Sequence, residues 1–252
     1  MLSFKLYDKK IIISNYSISL TNSVKKSSFN TRNYINESVS RAKRKIYDLG
    51  LCNSWSHFIT MTFDKKKINR FNLNEVKTKF IKYLKNYSRI DKDFKYLVIP
   101  ELHKNGALHF HGLVFFGDNS MKYLKWFKKN IFNHQLFSKT FGFNRFIKIT
   151  YKSDAIITYI VKYVSKDISK LFRNYYFRSN NLKEPLKFQI KDNFIISNEL
   201  KKIEPLFCCE TPGLNFYQNS FVSSFVINSN HELYNFYYIK YFKNNQVERE
   251  KI

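Results

Sequence analysis

The chain is poor in the residues that punctuate or cross-link a fold, with 3 cysteines, 4 prolines and 6 glycines in 252 residues. Cys52, Cys208 and Cys209 offer no disulfide framework and no paired zinc-ligand spacing, which fits a reduced, cytoplasmic setting. No apolar run approaches the roughly 20 residues of a membrane span, so an integral membrane protein is not expected. The run Ile11–Ile13 is too short for the core of a secretion signal. Internal repeats and Gly/Ser linkers are missing. Acidic residues are scarce too, with 19 Asp and Glu against 44 Lys and Arg, for a net charge of +25. What is abundant is apolar and aromatic side chain, at 44% and 18% of the chain, which excludes a disordered basic tail.

The charge is uneven. Residues 1–200 carry 38 basic and 14 acidic side chains, hence +24, and residues 201–252 carry 6 and 5, hence +1. A positive field of that size points to a polyanionic partner, most simply nucleic acid. Three of the four prolines fall after residue 180, which places a domain boundary there: an N-terminal segment over 1–40, a main domain over 41–183 and an extension over 184–252.

Hydrophobic spacing gives the elements. Ile35, Val39, Ala42, Ile46 and Leu49 recur at helical intervals with Gly50 as a stop, and Arg41, Lys43, Arg44 and Lys45 lie on the other faces. Lys43 and Arg44 are candidates for DNA-backbone contacts. A short strand is expected at Ile11–Ser14, and longer ones at His57–Phe63, Lys95–Leu102, Leu108–Phe116 and Phe143–Tyr151. Helices are expected from an Asn72/Glu75 cap to about Tyr87, over Met121–Phe132, and from Ser153 to near Lys166. A turn at Asn105-Gly106 makes a hairpin of its flanking strands. Tight hairpins with intervening helices predict an α+β fold, an antiparallel sheet with packed helices. Phe221–Ile227 and Leu233–Phe242 could pair as a hairpin in a β-rich extension.

Two constellations carry chemistry. In the strand Leu108–Phe116, His109 and His111 point to one face with Cα atoms about 6.6 Å apart, close enough to share a cation. Leu108, Phe110, Val114 and Phe116 are free to bury the other face. A third ligand must come from the partner strand, where Glu101 and His103 are the candidates. A two-residue loop would turn Glu101 away. A three-residue loop, Asn105-Gly106-Ala107, would set Glu101 opposite His111 and His103 opposite His109. Two imidazoles and the favoured carboxylate of Glu101 suit Mn²⁺ or Mg²⁺. On the helix from Ser153, Tyr159, Lys162, Tyr163 and Lys166 share one face, and Ile157, Ile160, Val161 and Val164 form the core stripe. Two phenols beside cations make a nucleophile site for phosphoryl chemistry, and Lys166 adds a DNA contact.

Three segments taken in order resemble the HUH superfamily of rolling-circle replication initiators. Phe58-Ile59-Thr60-Met61-Thr62-Phe63 resembles their first motif, His109-Phe110-His111 their metal motif, and Tyr159-Ile160-Val161-Lys162-Tyr163 their Tyr-x-x-Lys motif with a second tyrosine one turn on. The likeness covers about residues 40–185. It is strongest to initiators of small single-stranded DNA phages such as microviruses, to which Ile46-Tyr47, Cys52-Asn53 and Tyr96–Glu101 add. The resemblance implies an endonuclease with an RRM-like core that nicks single-stranded or hairpin origin DNA. Its tyrosine becomes linked to the 5′ phosphate, and the freed 3′ hydroxyl primes synthesis. It implies Tyr159, Tyr163 and Lys162 as catalytic residues, and His109, His111 and Glu101 as ligands of Mn²⁺ or Mg²⁺. No phosphate-binding Gly-x-x-x-x-Gly-Lys-[Ser/Thr] loop accompanies it, so a host helicase and polymerase are the expected partners, in the host cytoplasm if the gene is phage-borne. A relaxase or transposase of the same superfamily, a non-catalytic nucleic-acid-binding protein and a structural phage protein are the competing readings.

Overall fold

The computed structural model describes residues 2–7, 10–15, 31–150, 153–164, 174–190, 207–212 and 221–228. The chain divides into two compact units, Ser28–Lys183 and a second made of Met1–Ser27 with Glu184–Ile252.

In the second unit, β1 (Leu2–Leu6) and β2 (Lys10–Asn15) from the N-terminus join β10 (Leu186–Ile190), β11 (Phe207–Pro212) and β12 (Phe221–Asn228). The order is β10-β1-β2-β12-β11, every pair antiparallel. The expected strand at Phe221–Ile227 is present as β12, but its partners are β11 and β2. Leu233–Phe242 lies outside the described residues.

The larger unit is a seven-stranded antiparallel sheet, β6-β7-β8-β3-β5-β4-β9, with helices on both faces. Its strands are β3 (His57–Thr62), β4 (Lys95–Leu102), β5 (Leu108–Phe115), β6 (Leu124–Lys128), β7 (Ile131–His134), β8 (Asn144–Lys148) and β9 (Phe177–Arg178). The helices are α1 (Thr31–Leu51), α2 (Leu73–Ile90), α3 (Asp118–Met121), α4 (Gln135–Phe141) and α5 (Ser153–Val161). This is the α+β fold the sequence predicts. Alternation along β3, β4 and β5 supplies one core per face. Ile59, Met61, Val98, Phe110 and Val114 pack under α2 and α4, which contribute Val76, Phe80, Leu84, Phe137 and Phe141. Phe58, Leu97, Ile99 and Leu113 pack under α1 and α5, which contribute Val39, Ala42, Ile46, Leu49, Ile157, Ile160 and Val164. Burying each such large apolar side chain stabilises the fold by about 1.5–3 kcal/mol. Asn72 caps α2 as expected, its side-chain oxygen accepting from the Glu75 N–H at 3.2 Å.

Several local expectations fail for physical reasons. Met121–Phe132 is not a helix: after the single turn of α3, it forms β6 and the start of β7, joined at Lys129-Asn130 with Lys129 in the left-handed region (φ 46°). Lys125 to Phe127 are exposed, so no helical core stripe exists there to be buried. Gly50 does not stop α1. It lies inside the helix because an added Cβ would sit 2.7 Å from Ile157 Cγ2 on α5. The α5 helix ends at Val161, short of Lys166. Its last turn tightens, with Lys162, Tyr163 and Val164 N–H groups donating three residues back to Tyr159, Ile160 and Val161.

Two histidines are structural. His57 is buried among Phe116, Phe132 and Phe146. His134 accepts from the Phe137 N–H on Nδ1 (3.4 Å), so its Nε2–H donates to the Tyr87 hydroxyl (3.1 Å). Burial lowers both to about 4, helped by Lys148 at His57 and by His57 at His134. With unfolded values near 6.5, each ring's contribution is complete above pH 6.5 and is lost as pH falls towards 4, on the order of 2–3 kcal/mol apiece. Urea midpoints should therefore drop between pH 6.5 and pH 5, before most carboxylates titrate. A flat profile across that window would show that the two rings are not buried neutral.

Candidate active site

The site lies on the α1/α5 face of the sheet, where the covering helices give way to polar residues. In register, Thr60 pairs with His111 and Thr62 with His109 across β3 and β5. Each hydroxyl meets a ring Nδ1 at 3.3 Å. These two threonines were missed as site residues, although the alternation of Phe58, Thr60 and Thr62 against Ile59, Met61 and Phe63 places them on the histidine face.

The β4–β5 loop has the required odd length, but it is centred one residue earlier than expected. His103 and Ala107 close it by a 2.9 Å hydrogen bond, leaving Lys104-Asn105-Gly106 as the loop, with Gly106 left-handed (φ 81°). The register consequently differs by two residues: Glu101 stands opposite His109, and Ile99 opposite His111. Parity is preserved, so Glu101 remains on the histidine face, and its Oε2 accepts from His111 Nε2 at 2.7 Å. His103 sits at the loop shoulder with its ring stacked on His109, centroids 5.1 Å apart. Gly112 makes this packing possible, because a Cβ there would collide with the Leu97 carbonyl oxygen.

From the other side, α5 delivers its tyrosines. The Tyr163 ring lies flat on His111, centroids 3.9 Å apart and planes 9° apart. Its hydroxyl donates to the Tyr159 hydroxyl at 2.6 Å. Tyr159 is 46% exposed and packs edge-on against Phe58, itself stacked near His111. The Lys162 ammonium stands 5.8 Å from the Tyr159 ring centre. So Tyr159, Tyr163, Lys162, Glu101, His109 and His111 meet in one place. Lys43, half-buried, and Arg44, exposed, lie on α1, and Lys166 lies outside the described residues.

Burial holds the Tyr163 phenol above its ordinary range, and its bond to Tyr159 and the Glu101 charge add to this, so it acts as a donor at neutral pH. Burial lowers both site imidazoles. The charges of His103 and His111 lower His109 further, whereas Glu101 pulls against burial at both rings. Two neutral imidazoles and a carboxylate are a fitting donor set for a hard divalent cation, which must bind deprotonated ligands. Among the described residues, however, no three His, Cys, Asp or Glu side chains are drawn together as a metal cage. Glu101 and His111 instead bond to each other.

Residues 56–168 match the model of a family described as replication-associated protein ORF2. The matched segment contains β3, the His109/His111 strand and α5, and the similarity supports a replication initiator. No curated protein and no solved structure matches the chain. No helix among the described residues is long and apolar enough to cross a membrane.

Because Glu101 opposes burial at His111, Glu101→Gln should move the His111 titration midpoint further down, as followed by NMR of its ring Cε1–H. A midpoint that rises would mean that the carboxylate does not act on this ring.

Proposed function

We propose that the chain initiates rolling-circle replication as an HUH-type endonuclease and strand transferase, close in kind to the initiators of single-stranded DNA phages. The carrying observation is the stacking of Tyr163 on His111 with its hydroxyl on Tyr159, which holds both phenols against the histidine and carboxylate cluster. A replication-associated match over residues 56–168 and the charge of +25 support the same reading.

Tyr159 is the first nucleophile, being the more exposed phenol and the one that receives a hydrogen bond. That bond stabilises its oxygen as negative charge develops, and Lys162 adds a cation beside the ring. Tyr159 Oη bonds to the scissile phosphorus as the bond from phosphorus to the 3′ oxygen breaks. The phenol proton leaves, the 3′ oxygen is protonated, and the DNA 5′ phosphate stays on the tyrosine. Reversal by a 3′ hydroxyl rejoins the strand, and Tyr163 can serve a second transfer once its stack on His111 opens. Mn²⁺ or Mg²⁺, held by His109, His111 and Glu101, would supply charge neutralisation at the phosphate. Thr60 and Thr62 fix the two rings through Nδ1. Lys43, Arg44 and Lys166 contribute non-specific phosphate contacts, and unwinding and synthesis fall to a host helicase and polymerase in the cytoplasm.

Incubation with origin-bearing single-stranded DNA and Mn²⁺ should give a covalent adduct on a denaturing gel. Tyr159→Phe should abolish it. Tyr163→Phe should keep the adduct, slow the first nick roughly tenfold through the lost hydrogen bond, and impair circle release. An adduct mapping to Tyr163 alone reverses the order, and an adduct formed by the double Phe variant rejects the tyrosine mechanism.

His109→Ala should remove nicking while retaining most of the salt-sensitive DNA binding. Parallel loss of cleavage and binding would count against a catalytic metal.

A further inference from the structure

The β6–β7 hairpin has features that neither the core nor the proposed nuclease chemistry uses. It forms the edge of the large sheet, and residues 125–130 are all exposed. Trp126 is 70% exposed and Phe127 60%, flanked by Lys125, Lys128 and Lys129. Residues 119–153 contain no acidic side chain, while eight are basic. An edge strand with bare aromatics invites pairing with another chain, but lysines and a bulge oppose it. Both devices are present, the bulge falling between Trp126 and Lys128. The aromatics are also held in place. The indole N–H of Trp126 donates to the Lys129 carbonyl at 3.0 Å, across a turn that puts Lys129 in the left-handed region at φ 46°.

We propose that this hairpin is a stacking platform for the single-stranded DNA flanking the cleavage site, an inference that rests on the nuclease reading above. Strand pairing traces the route. Thr60 pairs with both His111 and Arg145. Ile131 pairs with both Ile147 and Lys128, so Lys128 shares the face of Arg145 and His111. Lys125, opposite Asn133, falls on that face as well. Beside Arg145 stands Phe143, 51% exposed, its ring centre 5.9 Å from the guanidinium. From β5 to β6 is four strand spacings, about 19 Å, a span of a few nucleotides. Phosphates leaving the site meet Arg145, Lys125 and Lys128. The strand then rounds the open edge, where Phe127 and Trp126 offer ring faces to bases of any sequence.

The chain has 2 tryptophans, which makes the test direct. Trp55 is buried with its indole N–H on the Gly50 carbonyl at 2.8 Å, so emission changes on ligand addition report Trp126. A dT homopolymer of about 12 nucleotides, added without divalent metal, should quench that emission saturably. Trp126→Ala should abolish the quench and weaken binding of a labelled dT strand about tenfold, Phe127→Ala should weaken it comparably, and Trp126→Phe should restore most of it. Ile90→Ala, at an exposed apolar position on α2, should bind as the unaltered chain does. Unchanged emission, or unchanged dT affinity in Trp126→Ala with Phe127→Ala, would overturn the platform. So would a self-associated chain that Trp126→Ala converts to monomer with dT affinity intact, since the surface would then be an interface between copies. Quenching without any tyrosine adduct would keep the platform and reject the nuclease, whereas an adduct without quenching would do the reverse.

Discussion

Strand β5 is gripped along both edges, by β3 and by β4, and its side chains divide cleanly between the two faces of the sheet. Phe110 and Val114 go into the α2 core, and His109 and His111 go to the polar face. One pairing register thus decides both the stability of the larger unit and the placement of its reactive groups. A slip of one residue would put two imidazoles into a phenylalanine core and two phenylalanines into the site. Gly112 guards that register, since any side chain there would collide with the β4 backbone.

The two cores make the site precise in complementary ways. The α2 face is a dense aromatic layer that fixes the sheet. The α1/α5 face fixes the tyrosine helix to that sheet through Ile157, Ile160 and Val164, and Gly50 allows α1 and α5 close approach. Tyr163 reaches His111 because its helix is anchored by the residues before it and tightened in the turn that carries it. The phenols stand at the boundary between an apolar layer and solvent. One is held protonated by burial, and the other is open to an incoming phosphate.

Much of this was legible in the sequence because period-two and helical patterns are local. The alternation along Leu108–Phe116 placed the histidines, and the stripe from Ile157 to Val164 placed the tyrosines. What the sequence did not settle depends on tertiary partners. The loop at Lys104-Asn105-Gly106 could close at either of two odd registers, and only contacts across β4 and β5 choose between them. Residues 121–132 have mixed spacing, and the sheet edge at β8 recruits them as strands. Gly50 reads as a stop until α5 is packed against it. Thr60 and Thr62 are ordinary strand residues until the histidines stand beside them.

The smaller sheet carries a consequence for timing. Leu2 pairs with Ile190, and Ser14 with Ser224, so its strands come from opposite ends of the chain. On the ribosome, the whole of Ser28–Lys183 is made before β1 and β2 can meet β10 and β12. The larger unit can therefore complete its own short-range hairpins while the first strands still lack their outer partners. Those strands remain open edges throughout synthesis of the nuclease unit, which makes the interval before the C-terminal strands emerge the period of greatest exposure to mispairing.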